Sequence, residues 1–302
     1  MLDDAIDTEL AEFETERARS HTRVVAARFL RHRVATVALI VLVLMALASF
    51  FAPKYYSFDP NERTGALSEG PSSTHWFGTD NLGKDTYAQV ARGTTKSMQI
   101  GLLVAIVATM LGVAVGAIAG LYGGWIDALL MRITDLFLVI PLLAVLIVLA
   151  NRYRGDSGNW KEIAFVIAMF AWMYQARITR SELLALRERE FVKAARALGA
   201  SDRRIVFRHL LPNAAGAIIV NATLVVATAI LIEGTLSFLG FGVTPPDISL
   251  GSLIDEGAEA ARTRWWLFYL PGLWLVTILL CVNFVGDGLH DAIDPSQDRV
   301  RE

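Results

Sequence analysis

Six stretches of this chain carry no charge over lengths that the core of a water-soluble domain does not need. Val34 to Phe51 is 18 uncharged residues, Ser97 to Ile126 is 30, Leu136 to Ala150 is 15, Ile163 to Ala176 is 14, Ala214 to Ile232 is 19 and Trp265 to Gly286 is 22. A helix that crosses the hydrocarbon core of a bilayer needs about 20 apolar residues, within a range of about 17–25. Four stretches meet that length as they stand. The third reaches back to Ile126 if Asp127, Arg132 and Asp135 are tolerated. The fourth relies on flanking Arg and Lys stems that extend to the interface. The expectation is an all-α membrane protein with six transmembrane helices. The first stretch follows a charge-rich segment of 33 residues and lacks a small-residue cleavage pattern behind it, so it reads as a retained span.

Composition narrows the alternatives. Apolar residues are 54% of the 302, and charged residues only 19%. With glycine the apolar share is about 62%, against roughly 45–50% in soluble domains. A disordered chain and a strongly basic nucleic-acid binder are excluded. The lone cysteine, Cys281, excludes an intrachain disulfide and a thiolate metal cluster.

Charge placement sets the orientation. With the N-terminus inside, 18 of the 28 Lys and Arg residues fall in inner segments 1–33, 122–132, 177–213 and 287–302, and 10 fall in outer segments 53–96, 151–161 and 240–266. The excess is on the cytoplasmic side, so both termini are expected there. The chain then divides into an inner segment 1–33, a first span 34–52, an external loop 53–96, a core 97–286 and an inner tail 287–302. Residues 1–16 hold seven acids and no base, and six arginines follow from Arg17 to Arg33. That basic part reads either as an amphipathic helix on the inner membrane surface or as a solvated tail. The loop 53–96 is expected to be ordered by partners or by the rest of the protein. Trp265, Trp266, Phe268 and Tyr269 fit an interfacial aromatic belt.

Gly112, Gly116, Gly120 and Gly124 line one face of the second span. Such a stripe permits close backbone approach, either within the chain or to a partner subunit. Ionisable residues within spans are costly and default to functional candidates. Arg132 and Asp135 can pair at i, i+3. Glu233 lies about 28 Å along the fifth helix from Ala214. It is either an outer-gate residue or an interfacial carboxylate, and the glycines and Ser237 after it favour the gate. Glu233, Ser237 and Asp135 are the candidate pathway residues.

Enzyme and nucleotide signals are weak. Gly78-Thr-Asp-Asn-Leu-Gly83-Lys84-Asp85 approaches the phosphate-loop pattern, but Asp85 stands where a magnesium-ligating hydroxyl is required, and the loop is external. The five histidines form no zinc-binding or catalytic constellation, so no metal site and no catalytic residue are expected.

The most specific stretch is cytoplasmic and runs from Glu190 to Asn213. It reads as a short helix, a break at Gly199, a cap at Ser201 and Asp202, and a second helix stopped at Pro212. Small residues Ala194, Ala195, Ala197 and Ala200 suit a knob fitted into a groove on another protein.

This stretch resembles the Glu-Ala-Ala loop of binding-protein-dependent ABC import permeases. Ala194, Ala195, Gly199, Leu211 and Pro212 match. Lys193 stands where Glu is usual and His209 where Ile is usual. Three further blocks look like the dipeptide/oligopeptide branch. They are His75-Trp-Phe-Gly-Thr-Asp80 with Leu82 to Asp85, Leu236 to Gly242 with Pro245-Pro246, and Asn283 to Pro295. The lead into the first helix is similar to that of the C-type permease subunit of this branch.

The resemblance implies a type I ABC importer permease fold, with one helix wrapped around a five-helix core. It implies that residues Glu190, Lys193, Ala194, Ala195, Gly199, Ala200, Ser201, Asp202, His209, Leu211 and Pro212 form the ATPase-coupling loop. The implied function is peptide import across the bacterial cytoplasmic membrane. The implied partners are a homologous B-type permease, two cytoplasmic ATPases, an external substrate-binding protein and membrane lipid. The chain would bind no cofactor, because ATP and Mg sit on the ATPases, and it would be non-catalytic. Two alternatives stand beside this: a permease of the same type for nickel, glutathione or another small solute, and an ion-coupled carrier.

Overall fold

The computed structural model describes residues 23–152 and 160–293. Residues 1–22, with the acidic run, and 294–302, with Pro295, lie outside the described part, as does 153–159 of the short outer segment. Every regular element among the described residues is helical. A helical stretch over 23–31 leads into α1 (Arg33–Tyr55), followed by α2 (Thr86–Tyr122), α3 (Gly124–Val139), α4 (Leu142–Arg152) and α5 (Trp160–Arg187). Then come α6 (Glu190–Ala197), α7 (Asp202–Ile205), a π-helical turn Val206–Leu210, α8 (Leu211–Phe238), α9 (Leu250–Ala258) and α10 (Trp266–Ile293).

All six expected spans are helical. Four are long and apolar enough to cross a membrane without help: α1, α2, the run Asp202–Phe238, and α10. The third expected span is not one straight helix. Gly124–Val139 and Leu142–Leu149 meet at 79° and make at most one broken span. Pro141 explains the break. It has no N–H to donate, and it holds Ile140 in extended backbone at φ −71°, ψ 130°. The fourth, α5, is 28 residues long and carries Gln175, Arg177, Arg180 and Glu182 in its C-terminal half.

Helices also run past the charge-free stretches. α2 starts at Thr86, inside the expected external loop, because Asp85 caps it by accepting from the Ala88 N–H at 2.8 Å. The charges on its first turns are accommodated by Asp247, 2.9 Å from Lys96 and 3.9 Å from Arg92. α10 continues to Ile293, past the expected span end at 286. There Gly288 lies so close to Ala35 that a Cβ would come within 2.2 Å of it.

The glycine stripe of α2 faces α5. A Cβ at Gly112 would lie 2.5 Å from Gln175 Cβ, one at Gly116 2.4 Å from the Ala176 carbonyl, and one at Gly120 2.9 Å from Leu183 Cβ. Of the two readings left open by sequence, close packing within the chain is the one observed for these three. Gly124 has no such neighbour and instead takes φ +56° as the first residue of α3. The main core lies where α2, α4, α5 and α8 meet, around Ile100, Val104, Leu146, Ile167, Val225 and Leu236. A second core joins α1, α2, α8, α9 and α10 around Met45, Val90, Ile230, Leu250 and Ile278.

The loop between α1 and α2 is ordered by the rest of the chain. Trp266 Nε1 donates to the Thr79 carbonyl at 3.2 Å, and Arg264 reaches Ser68 Oγ at 3.1 Å. Trp266 is therefore buried rather than part of an interfacial belt, whereas Trp265 and Tyr269 are exposed. The phosphate-loop-like segment serves as a clasp. Asp85 Oδ2 accepts from Tyr56 Oη at 2.9 Å and lies 2.8 Å from His75 Nδ1, with Asp85 fully buried. Burial, then the bond to Asp85, pushes the Tyr56 phenol above its ordinary value.

Candidate functional site

The knob between α5 and α8 is built on a fixed base. Val192, Ile205, Val206 and Leu210 are buried against Ala117 and Leu121 of α2, Leu183 of α5 and Ala214 of α8. These anchors hold α6 and α7 against the C-terminal ends of α2 and α5 and the N-terminal end of α8. The rest of the knob faces out. Glu190, Lys193, Ala194, Ser201, Asp202 and Pro212 are exposed, and Ala195, Ala200, His209 and Leu211 are partly so.

α6 ends in a Schellman motif. The Ala200 N–H bonds the Ala195 carbonyl at 3.1 Å and the Gly199 N–H bonds the Arg196 carbonyl at 3.0 Å. Gly199 takes φ +81°, a conformation that costs an L-residue about 1–2 kcal/mol. Nothing lies within 4 Å of a Cβ placed there, so the requirement is on the backbone and not on space. Ser201 then caps α7, accepting from the Arg204 N–H at 3.4 Å.

The second helix does not stop at Pro212, contrary to the sequence expectation. It passes through the π turn, where the Leu211 N–H reaches back to the Val206 carbonyl, and continues as α8. Proline is tolerated because it sits in the first turn of α8, and the Asn213 side chain caps the His209 carbonyl at 2.6 Å. The knob is thus continuous with a transmembrane helix. Lys193 lies 3.6 Å from Glu188, and Arg196 lies 3.9 Å from Asp202. Sequence reasoning missed the knob's apolar tips. Leu198 is 88% exposed and Phe207 65%, and an open cleft of about 370 Å³ lies between Ser201, Arg203, Arg204 and Phe207.

The candidate pathway residues fall in two places. Glu233 is fully buried between α2, α8 and α9. Ser237 Oγ donates to Oε1 at 2.7 Å and Ser97 Oγ to Oε2 at 3.1 Å. Ser249, the N-cap of α9, lies 3.2 Å from Ser237 Oγ. Gly242 packs onto Ser237 so tightly that a Cβ there would be 1.8 Å from its Oγ. Ser97 and Ser249 went unnoticed in the sequence. The only signal was a serine that opens a charge-free run and one that precedes a short helix.

Asp135 is elsewhere, and it pairs with Arg177 of α5, not with Arg132 of its own helix. Asp127 pairs likewise with Arg180. The two ion pairs tie α3 to α5. Each carboxylate reaches across to a guanidinium of α5 rather than along its own helix. No group of three or more His, Cys, Asp or Glu side chains that could hold a metal occurs among the described residues.

Comparison with known proteins agrees with this architecture. Residues 112–299 match the family model described as binding-protein-dependent transport system inner membrane component, and residues 20–71 match the N-terminal TM domain of oligopeptide transport permease C. The chain is 44% identical over 289 residues to the oligopeptide transport system permease protein OppC of Mycobacterium tuberculosis (strain H37Rv), covering 95% of this chain and 98% of that one. It is 42% identical over 275 residues to a protein of Brucella suis biovar 1 named as a peptide permease, covering 89% of each. Its fold is similar to that of a chain in the inward-facing MetNI methionine ABC transporter, with a TM-score of 0.56, 19% identity, and coverage of 68% of this chain and 96% of that one. The chain, an all-α multi-pass membrane protein with the type I importer permease fold, belongs to the family of binding-protein-dependent transport system inner membrane components.

Proposed function

We propose that the chain is the permease subunit of an ATP-driven, binding-protein-dependent importer of peptides. It resides in the bacterial cytoplasmic membrane with both termini inside. A homologous B-type permease completes the pathway, two cytoplasmic ATPases supply the work, and an external binding protein delivers substrate. The chain itself is non-catalytic and holds no cofactor; ATP and Mg belong to the ATPases. The peptide substrate rests on the likeness to OppC, with which the chain shares nearly its full length.

The observation that carries the coupling role is the knob at residues 190–212. Its base is buried among three long helices, and its tips are exposed. Its π turn feeds directly into α8. A push on α7 therefore reaches the membrane through one continuous helical run, Asp202–Phe238. From 188 to 208 the knob carries six basic and three acidic residues, so the groove that receives it is acidic around an apolar socket for Leu198. ATP-driven closure of the ATPases moves the two permease halves as rigid bodies between outward and inward openings.

The test is reconstitution of the complete importer in nanodiscs. Leu198→Glu is expected to leave insertion and assembly intact while abolishing peptide-stimulated ATP hydrolysis. Wild-type stimulation in that variant would overturn the coupling role. Absence of uptake of any labelled peptide by the intact importer would overturn the peptide assignment.

A further inference from the structure

The helical stretch 23–31 ahead of α1 has two unlike faces. At 3.6 residues per turn, Val25 and Phe29 fall on one side, and both are half-buried. Phe29 meets α10 there: a Cβ on Gly288 would lie 3.4 Å from the Phe29 ring and 2.2 Å from Ala35 Cβ. His32 Nε2 lies 3.5 Å from Asp291 of the same helix. The opposite side carries Arg23, Val24, Ala27, Leu30 and Arg31, all of them exposed. Val24 is 45% exposed and Leu30 64%.

The charge on the open side is of one sign. Four arginines, Arg23, Arg28, Arg31 and Arg33, fall between 23 and 33, and the first acid after them is Asp59. The side chains of Arg23, Arg31 and Arg33 make no hydrogen bond or ion pair to a described residue. Asp291, which could offset them, lies on the packed side against His32.

What covers this face follows from the span beside it. His32 alone separates the stretch from α1, and it caps α1 by accepting from the Ala35 N–H at 3.2 Å. α1 is long and apolar enough to cross the membrane. A helix about 13 Å long, joined to a span and seated on α10, lies in or beside the headgroup layer. Guanidinium groups interleaved with apolar side chains suit that layer, because the apolar groups enter the acyl boundary while the cations meet phosphate. Several basic residues beside a span select anionic headgroups over neutral ones. A soluble partner would first have to displace the headgroups that surround the helix.

We propose that the exposed face of residues 23–33 binds anionic phospholipid, with Arg23, Arg31 and Arg33 on headgroup phosphates and Val24 and Leu30 against the first acyl carbons. The bound lipid holds Phe29 against α10 and so fastens the start of α1 to the end of α10. This site is separate from the coupling knob, and the inference does not depend on a peptide substrate.

The experiment is quenching of a fluorophore attached at Ala27→Cys, on the same face, in the full chain in nanodiscs. Cys281 is buried and is shielded from the label. Spin-labelled phosphatidylglycerol is expected to quench at a mole fraction about fivefold lower than spin-labelled phosphatidylcholine. Arg23→Gln combined with Arg31→Gln is expected to bring the two lipids together, while Arg28 and Arg33 remain to hold the orientation of α1. Arg23→Lys combined with Arg31→Lys keeps the charge and is expected to keep the preference. Inorganic phosphate in excess is expected not to relieve the quenching. Circular dichroism checks that each variant is folded. Quenching by neither lipid would make the stretch a solvated tail and overturn the proposal. Equal quenching by both lipids in wild type, an unchanged preference in the glutamine variant, or a loss as large in the lysine variant would overturn it as well. Relief by inorganic phosphate would assign the arginines to a free anion, with the same consequence.

Discussion

Ser97 and Glu233 are 136 residues apart, yet the Ser97 hydroxyl donates to the Glu233 carboxylate at 3.1 Å in the interior of the bundle. The same hydroxyl lies 3.4 Å from the Leu250 N–H. One serine on α2 therefore joins α8 to the start of α9. A carboxylate sunk this deep is tolerated only because hydroxyls surround it. Glu233→Ala would leave the Ser97 and Ser237 hydroxyls without their acceptor, at a cost of about 1–3 kcal/mol. Glu233→Gln keeps an acceptor and is expected to cost less. Thermal unfolding in a fixed detergent separates the two, and equal midpoints would refute this role.

The α2–α5 contact makes a sharp contrast between two glycines. A Cβ at Gly116 would come 2.4 Å from the Ala176 carbonyl oxygen, which is backbone and cannot swing away. Gly116→Ala is expected to destabilise by about 1–3 kcal/mol. Gly272 in α10 has nothing within 4 Å. Gly272→Ala is expected to be neutral, or to stabilise by about 0.4–1 kcal/mol. The difference is read from unfolding midpoints.

Gly199 predicts a purely local effect. Its left-handed backbone ends α6 in open space. Gly199→Ala is expected to cost about 1–2 kcal/mol, confined to the knob. Hydrogen exchange would speed up at 194–202 and stay unchanged along α2. Protection lost along α2 would contradict a purely local effect.

The clasp of the loop between α1 and α2 responds to alkali. The Tyr56 phenol is held protonated by burial and by its bond to Asp85, above its ordinary value of about 10. A raised value means that the folded state holds this proton more tightly than the unfolded chain. The contribution is complete below about pH 10 and is lost as pH rises through the raised value. Tyr56→Phe is expected to cost about 1 kcal/mol at neutral pH and to flatten the alkaline loss. Stability measured from pH 8 upward checks both parts.

The six charge-free stretches and the basic inner loop determined the membrane class, the order of the helices and the place of the knob. They could do so because hydrophobic length and a Gly199 break are local properties, written in consecutive residues. Pro141 was equally local, and it broke the third span. What only the tertiary structure decided was partnership. Asp135 turned to Arg177 rather than to Arg132, the glycine stripe met α5 rather than another subunit, and Trp266 folded inward onto Thr79. Pro212 also let the helix run on, because a π turn shifted the hydrogen-bond register ahead of it. In a bundle whose surfaces are almost uniformly apolar, burial carries little information about which faces meet. The few polar and glycine contacts that choose a partner come from residues far apart in the chain, and only the packed helices bring them together.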